Sequence, residues 1–188
     1  MLSDDEKELL EGVEDDKAPE GWSNTTKTVA AVLLSVVMAT YIYLFPTLYD
    51  AILGWTQSEV VINKTVSGEN ATIVFSDQVL NNLYDIYGEF PDEETALCMN
   101  GSENRGTYRI TSFTQPRIYS QSYGHVNHAP CPNTTLVVFH TQPQRQCLPS
   151  GTDRETLRTV QQRNDDSIML IMCAPNRFTV VTDPDGAI

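Results

Sequence analysis

A histidine, a serine and an aspartate follow one another at short spacing in the second half of the chain. His140 ends an apolar run, and Ser150 and Asp153 lie ten and thirteen residues after it, in a segment that contains Pro143, Pro149 and Gly151. Because such a segment folds the chain back, an imidazole and a carboxylate can meet there at one metal ion. Both groups are natural zinc ligands, and a catalytic zinc takes three protein ligands plus water. The spacing therefore indicates a candidate zinc site.

This spacing resembles the signature of the JAMM/MPN family of zinc isopeptidases, H-x-H-x(7)-S-x(2)-D with a glutamate further upstream. His140, Ser150 and Asp153 stand at the matching places. The second histidine of the signature does not, because Gln142 occupies its position.

The upstream glutamate of that family lies in a pattern like E-x-x-x-C-L-x-G, just after the first helix of the domain. Glu94 fits this pattern, with Cys98 four residues on, Met99 in the leucine place and Gly101 at the glycine. Glu93, one residue off, is the alternative.

The resemblance implies zinc-dependent hydrolysis of a peptide or isopeptide bond. In that scheme His140, Asp153 and Gln142 hold the Zn²⁺, Glu94 is the general base, and Ser150 hydrogen-bonds the developing oxyanion. The implied substrate is a processed peptide or a ubiquitin-like modifier joined to a lysine, and the residues do not select between them.

Gln142 leaves three interpretations open, because an amide oxygen is a poorer zinc ligand than an imidazole. Gln142 binds the metal weakly; or His125, His128 or Cys147 supplies the third ligand. In the third interpretation the domain has lost its metal and is a membrane-tethered protein-interaction module.

The flanking elements predict an α+β domain, because strands and helices mix without a strict βα repeat. A helix is expected from the N-cap Ser76 to residue 87, and a strand at 135–140 leads into the motif. The other predicted elements are strands at 60–66, 71–75 and 107–113, an irregular segment at 117–132, a helix at 153–162, and a hairpin of 167–173 with 177–182. This order resembles the MPN fold, a mixed sheet flanked by helices.

One transmembrane helix is predicted at residues 28–50, since residues 29–48 contain no charge. Twenty residues of helix span about 30 Å, the thickness of the hydrocarbon core. Before it, residues 1–27 are strongly acidic and are predicted to be a disordered tail. After it, residues 59–188 are predicted to form the JAMM/MPN-like domain.

The side of the membrane on which the domain lies is left open by the sequence. Lys17 and Lys27 precede the span and Lys64 follows it, which favours an N-terminus inside. The cytoplasmic setting usual for the resembled family favours the opposite side. Four of five Asn-x-Ser/Thr sequons follow the span, and they are permissive evidence for an outside location; the five are Asn24, Asn63, Asn70, Asn100 and Asn133.

The net charge of −13, with 25 acidic against 12 basic residues, excludes a general nucleic-acid binder. An acidic, lysine-poor surface suits a high-salt cytoplasm, which favours a halophilic, archaeal source. Ser150 lacks the G-x-S-x-G context of a serine nucleophile, and the chain has no phosphate-binding glycine loop.

The four cysteines contain no C-x-x-C pair, which argues against a cysteine zinc ribbon. Cys98 and Cys173 lie in apolar runs and are expected to be buried thiols. Cys131 and Cys147 flank the strand that carries His140, so that these two could form a disulfide, or Cys147 could lie near the metal.

Overall fold

The computed structural model describes residues 23–143 and 147–186. The chain divides into two compact units, Met1–Phe45 and Pro46–Ile188. Helix α1 spans Asn24–Gln57 and continues past Pro46. The predicted acidic tail lies outside the described residues as far as residue 22, and residues 24–27 are helical.

The first unit contains the segment expected to cross the membrane. Asn24–Phe45 is long and apolar enough for a span, with a mean hydropathy of 2.1, and none of its most apolar stretch is buried against other parts of the protein. A helix that is apolar all round and uncovered suits lipid better than water. The structure thus supports one candidate membrane helix.

The second unit is built on a mixed sheet of eight strands. After α1, the elements of this unit are β1 Glu59–Val60, β2 Thr65–Ser67, β3 Thr72–Phe75, α2 Asp77–Glu89, β4 Ala96–Asn104, β5 Thr107–Thr114, β6 Ile118–Ser122, β7 His125–His128, β8 Val137–Thr141, α3 Gly151–Gln161, β9 Ile168–Ala174 and β10 Arg177–Val181. The strand order of the sheet is β1-β10-β9-β8-β4-β5-β3-β2. In this sheet β8 pairs with β9, and β3 with β5, in parallel, and the other neighbours are antiparallel.

Helices α2 and α3 cover opposite faces of the sheet. Val137 and Phe139 of β8 belong to the larger core cluster, which includes Leu83 of α2. Val138 belongs to a second cluster with Leu157 of α3. Because side chains alternate along a strand, the even-numbered residues of β8 face α3. This alternation decides which residues can meet at the site.

The predicted mixture of strands and helices is confirmed, as are the helix capped by Ser76 and the hairpin formed by β9 and β10. The single strand expected at 60–66 is wrong: a turn at Asn63 and Lys64, with φ of 51° and 66°, separates β1 from β2. Left-handed backbone of this kind cannot continue a strand.

The segment 117–132, expected to be irregular, contains an antiparallel hairpin instead. β6 and β7 pair as a separate two-stranded sheet, joined by Tyr123 and Gly124. Most of its residues are exposed or half-buried, so the hairpin lacks the apolar alternation by which strands are recognised in a sequence.

All four cysteines form disulfides, and the possible bond between Cys131 and Cys147 does not occur. Cys98 bonds Cys131, and Cys147 bonds Cys173, with Cα separations of 5.6 and 5.1 Å. Cys98 and Cys173 are therefore not free buried thiols. The reason lies in the strand order, because β8 has β4 on one side and β9 on the other, and each neighbour supplies one cysteine.

Candidate metal and catalytic site

His140 and Asp153 meet because β8 and α3 place them on the same side of the sheet. His140 shares the α3-facing side of β8 with Val138. Asp153 lies in the first turn of α3, which begins after the motif loop. Imidazole Nε2 and carboxylate Oδ1 are 3.4 Å apart. The structure thus brings together two residues that the sequence proposed as metal ligands.

Asp153 is held in place by a capping box with Ser150. The Ser150 hydroxyl accepts a hydrogen bond from the backbone N–H of Asp153 at 3.2 Å, and the Ser150 N–H donates to Asp153 Oδ2 at 2.7 Å. Such a box stabilises a helix start by about 1 kcal/mol. It also engages one carboxylate oxygen and leaves the other directed at His140.

His140 is buried, with 6% of its surface exposed, and its Nε2 has no hydrogen-bond partner. Burial lowers the pKa of His140, the charge of Asp153 raises it in part, and His128 lowers it further. The imidazole is therefore held neutral, the form in which a histidine can bind a metal.

Gln142 lies one residue beyond β8 but continues its extended backbone, since its N–H donates to the carbonyl of Met172 at 2.9 Å. Two residues after His140, it faces the same side of the sheet. Its side chain is 7% exposed, and its Oε1 is buried without a partner. A buried polar oxygen with no partner costs about 1–3 kcal/mol, so this atom calls for an explanation.

The distance between His140 Nε2 and Asp153 Oδ1 fits two ligands of one metal ion better than a hydrogen bond. The 3.4 Å between His140 Nε2 and Asp153 Oδ1 joins atoms that make no hydrogen bond. Two ligands at the usual zinc distances, in tetrahedral geometry, lie about 3.3–3.5 Å apart. His140 Nε2 and the free Asp153 oxygen are thus spaced as two zinc ligands would be, and the buried amide oxygen of Gln142 is a third candidate donor on the same face of the sheet.

Glu94 precedes β4 and is fixed by contacts with two other segments. Its N–H donates to the carbonyl of Ser122 in the hairpin at 3.1 Å, and the neighbouring Thr95 exchanges hydrogen bonds with Thr141 at 2.8 and 2.9 Å. Glu94 is 8% exposed. Burial raises its pKa to about 7, with a smaller contribution from the charge of Asp153 and an opposing one from the N–H of Val126. A carboxyl with this pKa is suited to accept and return a proton near neutral pH.

Glu94, Gln142 and Ser150 line one cavity of about 220 Å³. Its other walls are Pro143, Thr152 and the turn of the hairpin, residues 123–126. The sequence missed this wall, although a glycine in a two-residue turn between short extended runs was a signal for it. The capping box was also missed in the sequence analysis. Ser-x-x-Asp before a helical run is a helix-start pattern, and it was the signal for this box.

The alternative third ligands fare differently. Cys147 is bonded to Cys173, so it has no thiolate for a metal, and that prediction is wrong. His125 is exposed at the rim of the cavity, and the Nδ1 of His128 contacts the carbonyl of Ala129 at 2.7 Å. Among residues 23–143 and 147–186, no three His, Cys, Asp or Glu side chains are grouped as a ready ligand set. Gln142 therefore stays the candidate third ligand, since its amide oxygen is buried and has no partner.

The sequence of the chain was compared with protein-family models and with curated proteins. No protein-family model matches the chain, and no curated protein matches its sequence. The case for the site is therefore made by the geometry of its own residues.

Proposed function

We propose that this protein is a membrane-anchored, zinc-dependent metallopeptidase that hydrolyses a peptide or isopeptide bond. One observation carries the proposal: two buried atoms without partners, His140 Nε2 and Gln142 Oε1, lie on the sheet face that Asp153 contacts. Glu94, with a pKa near 7, lines the same cavity as Gln142.

An MPN-like fold is part of the proposal. It is supported by the order of the elements: a helix before the glutamate, β4 after it, then β8 with the histidine and α3 with the aspartate. The parallel pairing of β8 with β9 and the coverage of both faces by helices agree with a mixed sheet of that kind.

In the proposed reaction His140, Asp153 and Gln142 hold Zn²⁺, which when bound activates water and polarises the scissile carbonyl. Glu94 takes the proton of the attacking water and returns it to the leaving amine. The hydroxyl of Ser150 donates to the carbonyl oxygen as negative charge develops there. The hairpin turn at 123–126 forms one wall of the cavity.

A second candidate is a metal-free, MPN-like interaction module tethered to the membrane. The specific observation in its favour is Gln142, because the ligand set has an amide where an imidazole would bind more strongly. In this case the buried His140 and Asp153 pair would be structural, and the cavity would bind a segment of a partner protein.

Zinc content separates the two candidates. The full chain, purified in detergent and high salt, is analysed for bound metal beside His140→Ala, Gln142→Ala and His125→Ala. We expect about one zinc per chain in the unmodified protein and in His125→Ala. Zinc should be absent from His140→Ala, and Gln142→Ala should bind it with lower affinity. His125→Ala is the matched control, since it removes a histidine at the rim of the same cavity.

Cleavage is then assayed with a library of internally quenched peptides and with an isopeptide-linked substrate. Zinc-dependent cleavage of either one supports the metallopeptidase. A folded chain that takes up no zinc, even when zinc is added, would contradict the proposal and favour the interaction module.

A further inference from the structure

The disulfides give information about the membrane side that the sequence left open. All four cysteines of the chain follow the candidate span, and all four are paired. Disulfides form and persist in oxidising compartments and are rare in the cytosol. Lys17 before the candidate span and Lys27 in its first turn agree with an N-terminus inside. Both observations place the domain on the outer face of the membrane.

The same domain is rich in sites for N-linked sugar. Asparagine occurs 11 times, and 5 of these residues begin an Asn-x-Ser/Thr sequon. With 12 Ser and 20 Thr among 188 residues, chance alone gives about two sequons. Four of the five lie beyond the span, on the side to which the disulfides point.

The fold separates these four sequons into two kinds. Asn63, Asn70 and Asn133 are exposed and lie in turns or loops outside the strands. Asn100 is different, because it lies inside strand β4, where it pairs with Ser112 and is half-buried with its amide oxygen covered. A sugar on the Asn100 amide nitrogen would have to leave from the middle of the sheet, whereas the other three asparagines lie in exposed turns and loops that can carry one.

We propose that the domain faces the outside and carries N-linked glycans on Asn63, Asn70 and Asn133, while Asn100 and the inner Asn24 stay unmodified. The donor is an oligosaccharide on a polyisoprenyl phosphate or diphosphate. The amide nitrogen attacks the anomeric carbon and forms a C–N bond. The C–O bond to phosphate breaks, its electron pair leaves with the lipid phosphate, and the amide nitrogen loses one proton to a base of the transferase.

An outward domain also has a consequence for the substrate of the proposed peptidase. Outside the cell the cavity would meet exported proteins and peptides rather than intracellular ubiquitin-like conjugates. The glycosylation proposal itself does not depend on the peptidase activity.

The test is made with the full chain in the membranes of a host that attaches N-linked glycans, read by mass spectrometry of the intact protein and its glycopeptides. We expect three modified sites, with one glycan lost in each of Asn63→Gln, Asn70→Gln and Asn133→Gln and none lost in Asn100→Gln or Asn24→Gln. Thr65→Ala should remove the glycan of Asn63, and Thr65→Ser should retain it.

Orientation is tested separately by a sequon added to the acidic tail through Asp16→Asn together with Ala18→Thr. This site should stay bare if the tail is inside, and its modification would overturn the proposal. The absence of any glycan on the domain, in a host that modifies a control membrane protein, would overturn it as well. Glycosylation of Asn100 would contradict the proposal that only the exposed sequons are modified.

Discussion

Glu94 and Gln142 line the same cavity from the ends of two neighbouring strands. The antiparallel register of β4 and β8 pairs Ala96 with His140, and hydrogen bonds between Thr95 and Thr141 continue the contact by one residue. Glu94 comes directly before this contact, and Gln142 comes directly after it. The candidate base therefore shares a cavity with the motif position at which the chain has an amide instead of an imidazole.

The substitution Gln142→His is expected to tighten zinc binding. The new imidazole would replace a weakly basic amide oxygen on the same face as His140, so affinity should rise at least about tenfold, the size of effect seen when even an outer-shell partner changes. Zinc competition with a chromogenic chelator measures this. Gln162→His is the matched control, since it adds a histidine at the far end of α3. Equal affinity in Gln142→His and the unmodified chain would remove residue 142 from the ligand set.

Glu94→Gln should abolish cleavage and keep the metal. The amide fills the same space but cannot accept the proton, so turnover should fall by about 10²–10⁴-fold while zinc content stays the same. Glu93→Gln is the matched control, because Glu93 is exposed beside it, and it should retain activity. If Glu93→Gln were the inactive variant, the role of base would pass to that residue.

Glu94 should also make the zinc-free protein less stable as pH rises. Its pKa is raised from 4.5 to about 7 in the folded chain, so the folded state binds more protons than the unfolded state between these values. The stabilisation is complete below pH 4.5 and is lost as pH rises through 7. Allowing for partial solvation at the cavity, the loss amounts to about 1–2 kcal/mol.

Urea unfolding of the chelator-treated protein at pH 5 and pH 8 measures this loss, with Glu94→Gln as the reference. The difference in unfolding free energy between the unmodified chain and the variant should shrink or reverse toward pH 8. An identical pH dependence in both proteins would show that Glu94 is not the titrating group.

Much of the site was predictable because it depends on local order. The apolar run before His140 had to be a strand, and Ser150 with Asp153 had to follow the loop. The face on which these residues meet was not predictable, since it depends on which helix covers which side of the sheet. The high pKa of Glu94 comes from the same packing and has no signature in the sequence.

The disulfides show the limit of reasoning from position along the chain. Four cysteines allow three pairings, and the position of Cys131 and Cys147 on either side of the motif strand made their pairing one open possibility. The strand order brings Cys98 and Cys173 in from both neighbours of β8 instead. Strand order is a property of long-range pairing, which a single sequence does not state.

A larger residue at Gly54 in α1 is predicted to displace the motif loop at Cys147. A Cβ at Gly54 would lie 3.0 Å from the backbone nitrogen of Cys147. Cys147 has little freedom to move, because it is bonded to Cys173 and its carbonyl accepts a hydrogen bond from Thr179 at 2.6 Å. Gly54→Ala should therefore destabilise the domain by about 1–2 kcal/mol, despite the better helix propensity of alanine.

Gly88→Ala is the matched control, because a Cβ there meets nothing within 4 Å and the residue lies in helix α2. It should raise stability by up to about 1 kcal/mol. Thermal unfolding of both variants in detergent, with zinc content as a second readout, compares the two glycines. The close approach of Gly54 predicts opposite shifts in Tm and a zinc loss confined to Gly54→Ala, since only this change displaces the loop that leads to Ser150 and Asp153. A rise in Tm for both variants would mean that the loop at Cys147 moves to accommodate the new methyl group without loss of stability. The contact between Gly54 and Cys147 would then not affect the site.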